Sequence, residues 1–272
     1  MKIGVRVNLR KNNDVKKEFE KVREFNMDNC QLDCWDPEMF TDEIAEEVKE
    51  AMKTTGVSIT AFWCGWQGPK VWNFIEGPVT LGLVPTAYRF VRMQNLMDGS
   101  DFAKKLGVNQ IVTHAGFMPE NPNDPIYTEV ISALRTVADY CKSNGQEFLF
   151  ETGQETPTTL VRVIDDIGTG NLGINLDPAN LLLYGKANAV DAVRIFGALI
   201  KGVHAKDGDY PTNSRELGEE KPLGEGEVNF PAFIEALKEV GYDGALTIER
   251  EIEGDKQIKD IIHAKQLLET LI

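Results

Sequence analysis

Histidine and cysteine are both scarce in this chain of 272 residues, which has three of the first and four of the second. Cys30, Cys34, Cys64 and Cys141 are scattered without a C-x-x-C pair, and they read as reduced thiols packed in a cytoplasmic protein. Positive charge is short as well: 29 Lys and Arg stand against 43 Asp and Glu, a net charge of -14. A surface this negative repels phosphate backbones and carries no polybasic anchor, so neither nucleic acid nor a membrane is expected as a partner. No apolar run approaches the length needed to cross a bilayer, and Met1–Val7 alternates like a strand instead of forming a signal peptide. The glycine-rich loop that flags a dinucleotide-binding sheet is missing after the first strand-like run, where Asn8-Leu9-Arg10-Lys11 follows instead. A literal G-x-G-x-x-G at Gly168–Gly173 lies after a helical pattern and before a strand, which is the wrong context, and reads as a connecting loop.

What is present is ordinary for a soluble enzyme, with 42% hydrophobic and 26% charged residues. The chain repeats one unit: short apolar run, polar loop, amphipathic helix, glycine, next run. Strand-like runs fall at Ile3–Val7, Asn29–Asp33, Ser58–Trp63, Gln110–His114, Glu147–Glu151, Leu172–Asp177, Lys201–His204 and Ala245–Glu249. Helical spacing joins Val15, Phe19, Val22 and Phe25, then Ile44, Val48, Ala51 and Met52. Similar patterns run through Tyr88–Leu106, Ile126–Ser143, Thr158–Asp166, Ala187–Leu199, Phe230–Val240 and Ile258–Leu271. Gly56, Gly107, Gly145 and Gly241 sit just past a helix and before a strand, where glycine ends helices in the left-handed conformation. Alternating strands and helices imply parallel strands with right-handed crossovers. Eight units predict one (β/α)8 TIM barrel domain over residues 1–272, with its active site at the C-terminal face.

Four consecutive strands of that barrel end on chemically potent side chains: Glu151, Asp177, His204 and Glu249. On the eighth strand Thr247, Glu249 and Glu251 share one side and Leu246, Ile248 and Arg250 the other, while Phe148 and Phe150 leave Glu151 to point at the mouth. Three carboxylates gathered there repel one another, and a divalent cation removes the conflict. Three oxygens and one imidazole suit Mn²⁺, Mg²⁺, Zn²⁺ or Co²⁺ without choosing among them. His114, ending the fourth strand, and Arg6, at the end of the first, also face the mouth as candidate substrate contacts, with a satisfied structural histidine and a barrel-floor salt bridge as their alternatives. Lys206 is the best single candidate to meet a substrate or a phosphate, with pairing to Asp177 or Asp207 as its alternative. Trp63 and Trp66 are candidates to stack on the apolar face of a small substrate, with core packing as the plain alternative. His263 lies on the last helix and reads as solvated. Two connections, Cys64–Pro85 and Gly208–Asn229, exceed what joining needs and are expected over the mouth.

The motifs Phe150-Glu151, Leu176-Asp177-Pro178-Ala179-Asn180, Val203-His204-Ala205-Lys206-Asp207-Gly208, Gly224-Glu225-Gly226 and Gly241-Tyr242-Asp243-Gly244 leading to Ile248-Glu249 carry a resemblance. The chain resembles the xylose isomerase-like barrel superfamily in its sugar phosphate isomerase/epimerase branch, which includes D-tagatose 3-epimerase and hydroxypyruvate isomerase. The resemblance implies that Glu151, Asp177, His204 and Glu249 are ligands of one divalent metal ion. It also implies that Glu151 and Glu249 exchange a proton at the carbon beside a ketose carbonyl, through an enediolate that the metal stabilises. One position departs from the epimerase pattern: a histidine usual three residues after the strand-six aspartate is Asn180 here, which offers a substrate hydrogen bond and no proton shuttle.

The expected activity is a metal-dependent isomerase or epimerase of a small sugar or keto-polyol, phosphorylated or not. A lyase on the same scaffold, of inosose or dehydroshikimate dehydratase type, is the alternative that Asn180 keeps open. An AP endonuclease-like phosphodiesterase needs many histidines for its zinc cluster, and a non-catalytic sugar-binding protein needs no complete ligand set; both fit less well. The sequence leaves self-association into a homo-oligomer open.

Overall fold

The computed structural model describes residues Met1–Ile272. Its strands are β1 (Lys2–Asn8), β2 (Asn29–Cys34), β3 (Ser58–Cys64), β4 (Gln110–Thr113), β5 (Glu147–Glu151), β6 (Leu172–Leu176), β7 (Ile200–Ala205), β8 (Asp207–Gly208), β9 (Glu220–Lys221) and β10 (Ala245–Ile248). Strands β1 to β7 and β10 pair in parallel around a closed barrel, with β10 between β7 and β1. Closure leaves no sheet edge exposed. The fold is the expected (β/α)8 barrel, and each apolar run becomes a strand within about a residue of its expected ends.

Helices over Val15–Glu24, Asp42–Thr55, Thr86–Lys105, Pro125–Ser143, Pro157–Ile167, Ala189–Phe196, Phe230–Glu239 and Asp255–Leu271 return the chain between strands. Asp14, Thr41, Asp124, Thr156, Asn188 and Asn229 cap six of them by accepting from a backbone N–H of the first turn. The four glycines expected to stop helices all adopt φ of 71–75°. Gly168–Gly173 is the connection into β6, as expected. Two short helices, Gly77–Thr80 and Pro178–Leu183, escaped the periodicity, as did the β8–β9 hairpin.

Alternation along the strands divides the core. Phe62, Phe148, Phe150, Ile174, Val203 and Leu246 face outward and pack under the helices in one cluster. Ala61, Trp63, Val112 and Leu149 form a separate cluster inside the barrel. Truncating an outward residue such as Phe148 to alanine is worth about 3–5 kcal/mol.

Both long connections are tied down. Arg92, fully buried on the helix Thr86–Lys105, donates to the carbonyls of Gly82 (2.6 Å), Gln67 (3.0 Å) and Pro69 (2.9 Å) and stacks on Trp66 at 4.0 Å. Asp207 accepts from the backbone N–H groups of Gly208, Gly224, Gly226 and Val228 at 2.8–3.1 Å, which gathers the Gly208–Asn229 connection onto the end of β7. A Cβ at Gly226 would fall 2.4 Å from Asp207 Oδ1, so this motif requires glycine. No helix is long and apolar enough to cross a membrane.

A candidate metal centre at the barrel mouth

Glu151 is the last residue of β5, Asp177 follows β6, His204 is next to last in β7, and Glu249 follows β10. All four are buried, and one ligand atom from each lies within 4.8 Å of the others. His204 Nδ1 sits 2.9 Å from Glu249 Oε2 and 3.4 Å from both Glu151 Oε1 and Asp177 Oδ2.

Each member is oriented by its own neighbours. Asp177 is the N-cap of the helix Pro178–Leu183: its Oδ1 accepts from Asn180 N at 2.8 Å, which leaves Oδ2 toward His204. Glu151 accepts from Asn180 Nδ2 at 3.1 Å on Oε1 and from Trp63 Nε1 on Oε2. Arg6 binds Glu249 Oε1 through Nη1 and lies 3.0 Å from Asp33 Oδ2 through Nη2. Lys206 Nζ stands 2.9 Å from Glu251, 3.6 Å from Glu249 and 3.7 Å from Asp177, and also donates to Asn180 Oδ1 at 3.3 Å. Of the two pairings expected for Lys206, the one with Asp177 occurs, while Asp207 turns away to the backbone amides of the loop.

Burial raises every carboxylate here, and neighbouring charge decides where each one settles. For Glu249, Lys206 and Arg6 overcome burial and hold the carboxyl well below its ordinary range. For Glu151, the His114 and His204 imidazoles overcome burial and hold it low. Asp177 stays raised by burial despite Lys206, and burial lifts Asp33 to about 6 despite Arg6. Burial opposes charge on His204, but Glu249 and Glu151 outweigh it and raise the imidazole well above its ordinary value.

This donor set fits a divalent cation. Glu249 Oε2 is buried without a hydrogen-bond donor, because His204 Nδ1 lies near it outside hydrogen-bonding geometry. An acceptor left that way costs about 1–3 kcal/mol or more unless a cation meets it. Three carboxylate oxygens and an imidazole nitrogen are the mixed hard donors that such ions take.

Above the four residues opens a cavity of about 270 Å³. Of the expected substrate contacts, Arg6, Trp63, His114, Asn180 and Lys206 line it, beside Glu151 and Glu249. Trp66 is a correction: it is fully buried, its Nε1 donates to Thr113 Oγ1 at 3.2 Å, and it packs under Arg92 away from the cavity. Its place at the mouth falls to Trp35 and to Trp72, which lies over His114 at 5.3 Å between ring centres. Tyr184, Leu217 and Glu251 complete the wall and were not expected there. Trp35 follows the end of β2, so the strand-end rule that selected Glu151 would have found it. His263 lies on the helix Asp255–Leu271 with an exposed side chain.

The family model for the xylose isomerase-like TIM barrel matches residues 19–271. The crystal structure of a xylose isomerase domain protein from Planctomyces limnophilus is 33% identical, covers 100% of this chain and 98% of that one, and superposes with a TM-score of 0.91. A D-tagatose 3-epimerase-like protein is 23% identical over 100% of this chain and 97% of its own, with a TM-score of 0.74, a likeness of fold. An uncharacterized protein of Methanocaldococcus jannaschii is 29% identical over 191 residues, which span 66% of this chain and 62% of that protein. With the family model matched from the first helix to the last and a whole-chain relative of the same description, the chain belongs to the xylose isomerase-like TIM barrel family.

Proposed function

We propose that the chain is a divalent-metal-dependent isomerase or epimerase acting on a small unphosphorylated sugar or keto-polyol. The observation that carries this reading is two buried glutamates, Glu151 and Glu249, lining one cavity and sharing a cation-sized cluster with Asp177 and His204. Mn²⁺, Mg²⁺, Zn²⁺ or Co²⁺ held by those four residues supplies, when bound, Lewis-acid polarisation of a carbonyl.

The remaining chemistry belongs to the side chains. Glu151 and Glu249 are both ionised near neutral pH. One removes a proton from the carbon beside the substrate carbonyl; the other returns one, for which it must first take up a proton as substrate binds. Return to the opposite face inverts that carbon; return to the adjacent carbon interconverts aldose and ketose. Trp63 and Asn180 fix the Glu151 carboxylate, and Arg6 fixes that of Glu249, so neither base has to reorganise. Asn180 has no proton to shuttle near neutral pH, which leaves both transfers to the glutamates. Trp35, Trp63 and Trp72 offer an apolar wall to the C–H face of a sugar ring or chain.

The absence of phosphate follows from charge. Arg6 and Lys206 are the cationic residues of the cavity wall, and both are already engaged by carboxylates. A phosphate would have to displace those pairs.

The test is incubation of the Mn²⁺-loaded protein in D₂O with a panel of ketoses, read by NMR. Deuterium beside the carbonyl is expected, and it should disappear in Glu151→Gln and Glu249→Gln. A conjugated chromophore would transfer the protein to the lyase reading. A panel that gains no deuterium and yields no product would overturn the proposal.

A further inference from the structure

The ring of His204 has a second side, buried in the barrel beneath the cluster. There Nε2 lies 2.7 Å from Gln31 Oε1 and 3.0 Å from Asn175 Nδ2, and Gln31 Nε2 in turn donates to Asn175 Oδ1 at 3.2 Å. Gln31 and Asn175 come from opposite walls, β2 and β6, and both are at most 2% exposed. Buried amides this deep are costly unless they have a partner. The backbone also makes room for them. The β6–β7 register slips by one residue between Ile174 and Asn175, which sets Asn175 beside Gly202. A Cβ at Gly202 would stand 2.4 Å from Asn175 Oδ1, so the glycine two residues before His204 is the space that the amide occupies.

From this geometry we propose that Gln31 and Asn175 form an amide clamp that holds the His204 ring proton on Nε2 and leaves Nδ1, among Glu151, Asp177 and Glu249, as the atom that meets a cation. The shorter contact decides the tautomer. At 2.7 Å the Gln31 carbonyl oxygen takes the proton of Nε2, and the Gln31 amide donates onward to Asn175 Oδ1; the Asn175 Nδ2 contact at 3.0 Å is then donor facing donor, so Asn175 acts on the ring through Gln31. Without a metal Nδ1 carries a proton toward Asp177 Oδ2 at 3.4 Å; a cation bound there displaces it, and the neutral imidazole keeps its one ring proton on Nε2. Gln31 and Asn175 are therefore positioning residues; neither touches the cavity. A metal-bound histidine held through its other nitrogen gains both orientation and basicity, and loss of such a partner costs 10–100-fold in metal affinity. The inference rests on the metal centre proposed above.

Three measurements test it. In Zn²⁺-loaded wild-type protein, ¹⁵N ring spectra of the three histidines should place the His204 proton on Nε2; a proton on Nδ1 overturns the clamp. Isothermal titration with Mn²⁺ should show Gln31→Leu binding about 10–100-fold more weakly than wild type, and Gln31→Glu, which still accepts from Nε2–H, recovering most of that loss. Gly202→Ala, which displaces Asn175 without touching His204, should weaken Mn²⁺ binding in the same direction. A folded Gln31→Leu that binds Mn²⁺ as wild type does would overturn the clamp, and so would a Gln31→Glu no better than Gln31→Leu. Should Gln31→Leu not fold, the wild-type spectrum decides alone. Wild-type protein that binds neither ion removes the metal centre itself; wild-type binding with an unaffected Gln31→Leu removes only the clamp.

Discussion

Glu155 gives a sharp physical prediction because nothing around it accounts for its burial. It lies in the turn after β5, 2% exposed, and neither carboxylate oxygen has a hydrogen-bond donor. Burial pushes its pKa from an ordinary 4.5 up to about 8, with the nearby backbone N–H groups of Glu155 and Gln154 and the charge of Lys186 offsetting only part of the effect. A carboxyl raised in the folded state binds more protons there than in the unfolded chain. Its contribution to stability is therefore complete below about pH 4.5 and is lost as pH rises toward 8. At about 1.4 kcal/mol per pH unit, the loss reaches on the order of 5 kcal/mol, an upper figure that any water reaching the site reduces. Glu155→Gln keeps the shape and cannot ionise. Its stability relative to wild type, from urea unfolding at pH 5, 6, 7 and 8, should start near zero and climb by a few kcal/mol by pH 8. A difference that stays constant across that range would refute the reasoning, because it would mean that the native carboxyl titrates like an exposed one.

Other outcomes follow from the site and its cover. Mn²⁺ at about one hundred times its dissociation constant should add about 2.7 kcal/mol of stability, reversed by EDTA; a denaturation midpoint that ignores both would count against a metal centre. Arg92→Leu strands the carbonyls of Gly82, Gln67 and Pro69. It should cost roughly 3–5 kcal/mol and speed amide exchange across residues 66–83, whereas exchange unchanged there would show that the segment holds itself. Trp72→Ala removes a side chain that is 40% exposed, so stability should change by under about 1 kcal/mol while KM for the ketose rises about tenfold; an unaltered KM would free Trp72 from the binding wall.

Much of the candidate site was legible because a barrel converts a local fact into a spatial one. Strand parity sent Glu151 and His204 inward, and the shared C-terminal face brought them to Asp177 and Glu249 without any knowledge of the loops. Trp66 was misplaced for the complementary reason. It lies past the end of β3, where no period constrains direction, and Arg92, on the following helix, decides where it packs. The helix Pro178–Leu183 was missed because six residues are too few to display a helical period, although its Asp177 cap and Pro178 were in plain view.

Gln31 and Asn175 mark the boundary more clearly. In sequence each is an unremarkable polar residue within an apolar run, and their meaning depends on facing one histidine from opposite walls. Sequence alone determined the repeat, the closed barrel it implies and the set of strand ends, because hydrophobic period and glycine stops are local properties. Tertiary structure alone decided which tryptophans reach the cavity, that Lys206 and Arg6 are already engaged, and which nitrogen of His204 faces the carboxylates. Those are relations between side chains far apart along the chain, and only the closed backbone brings them within hydrogen-bonding distance.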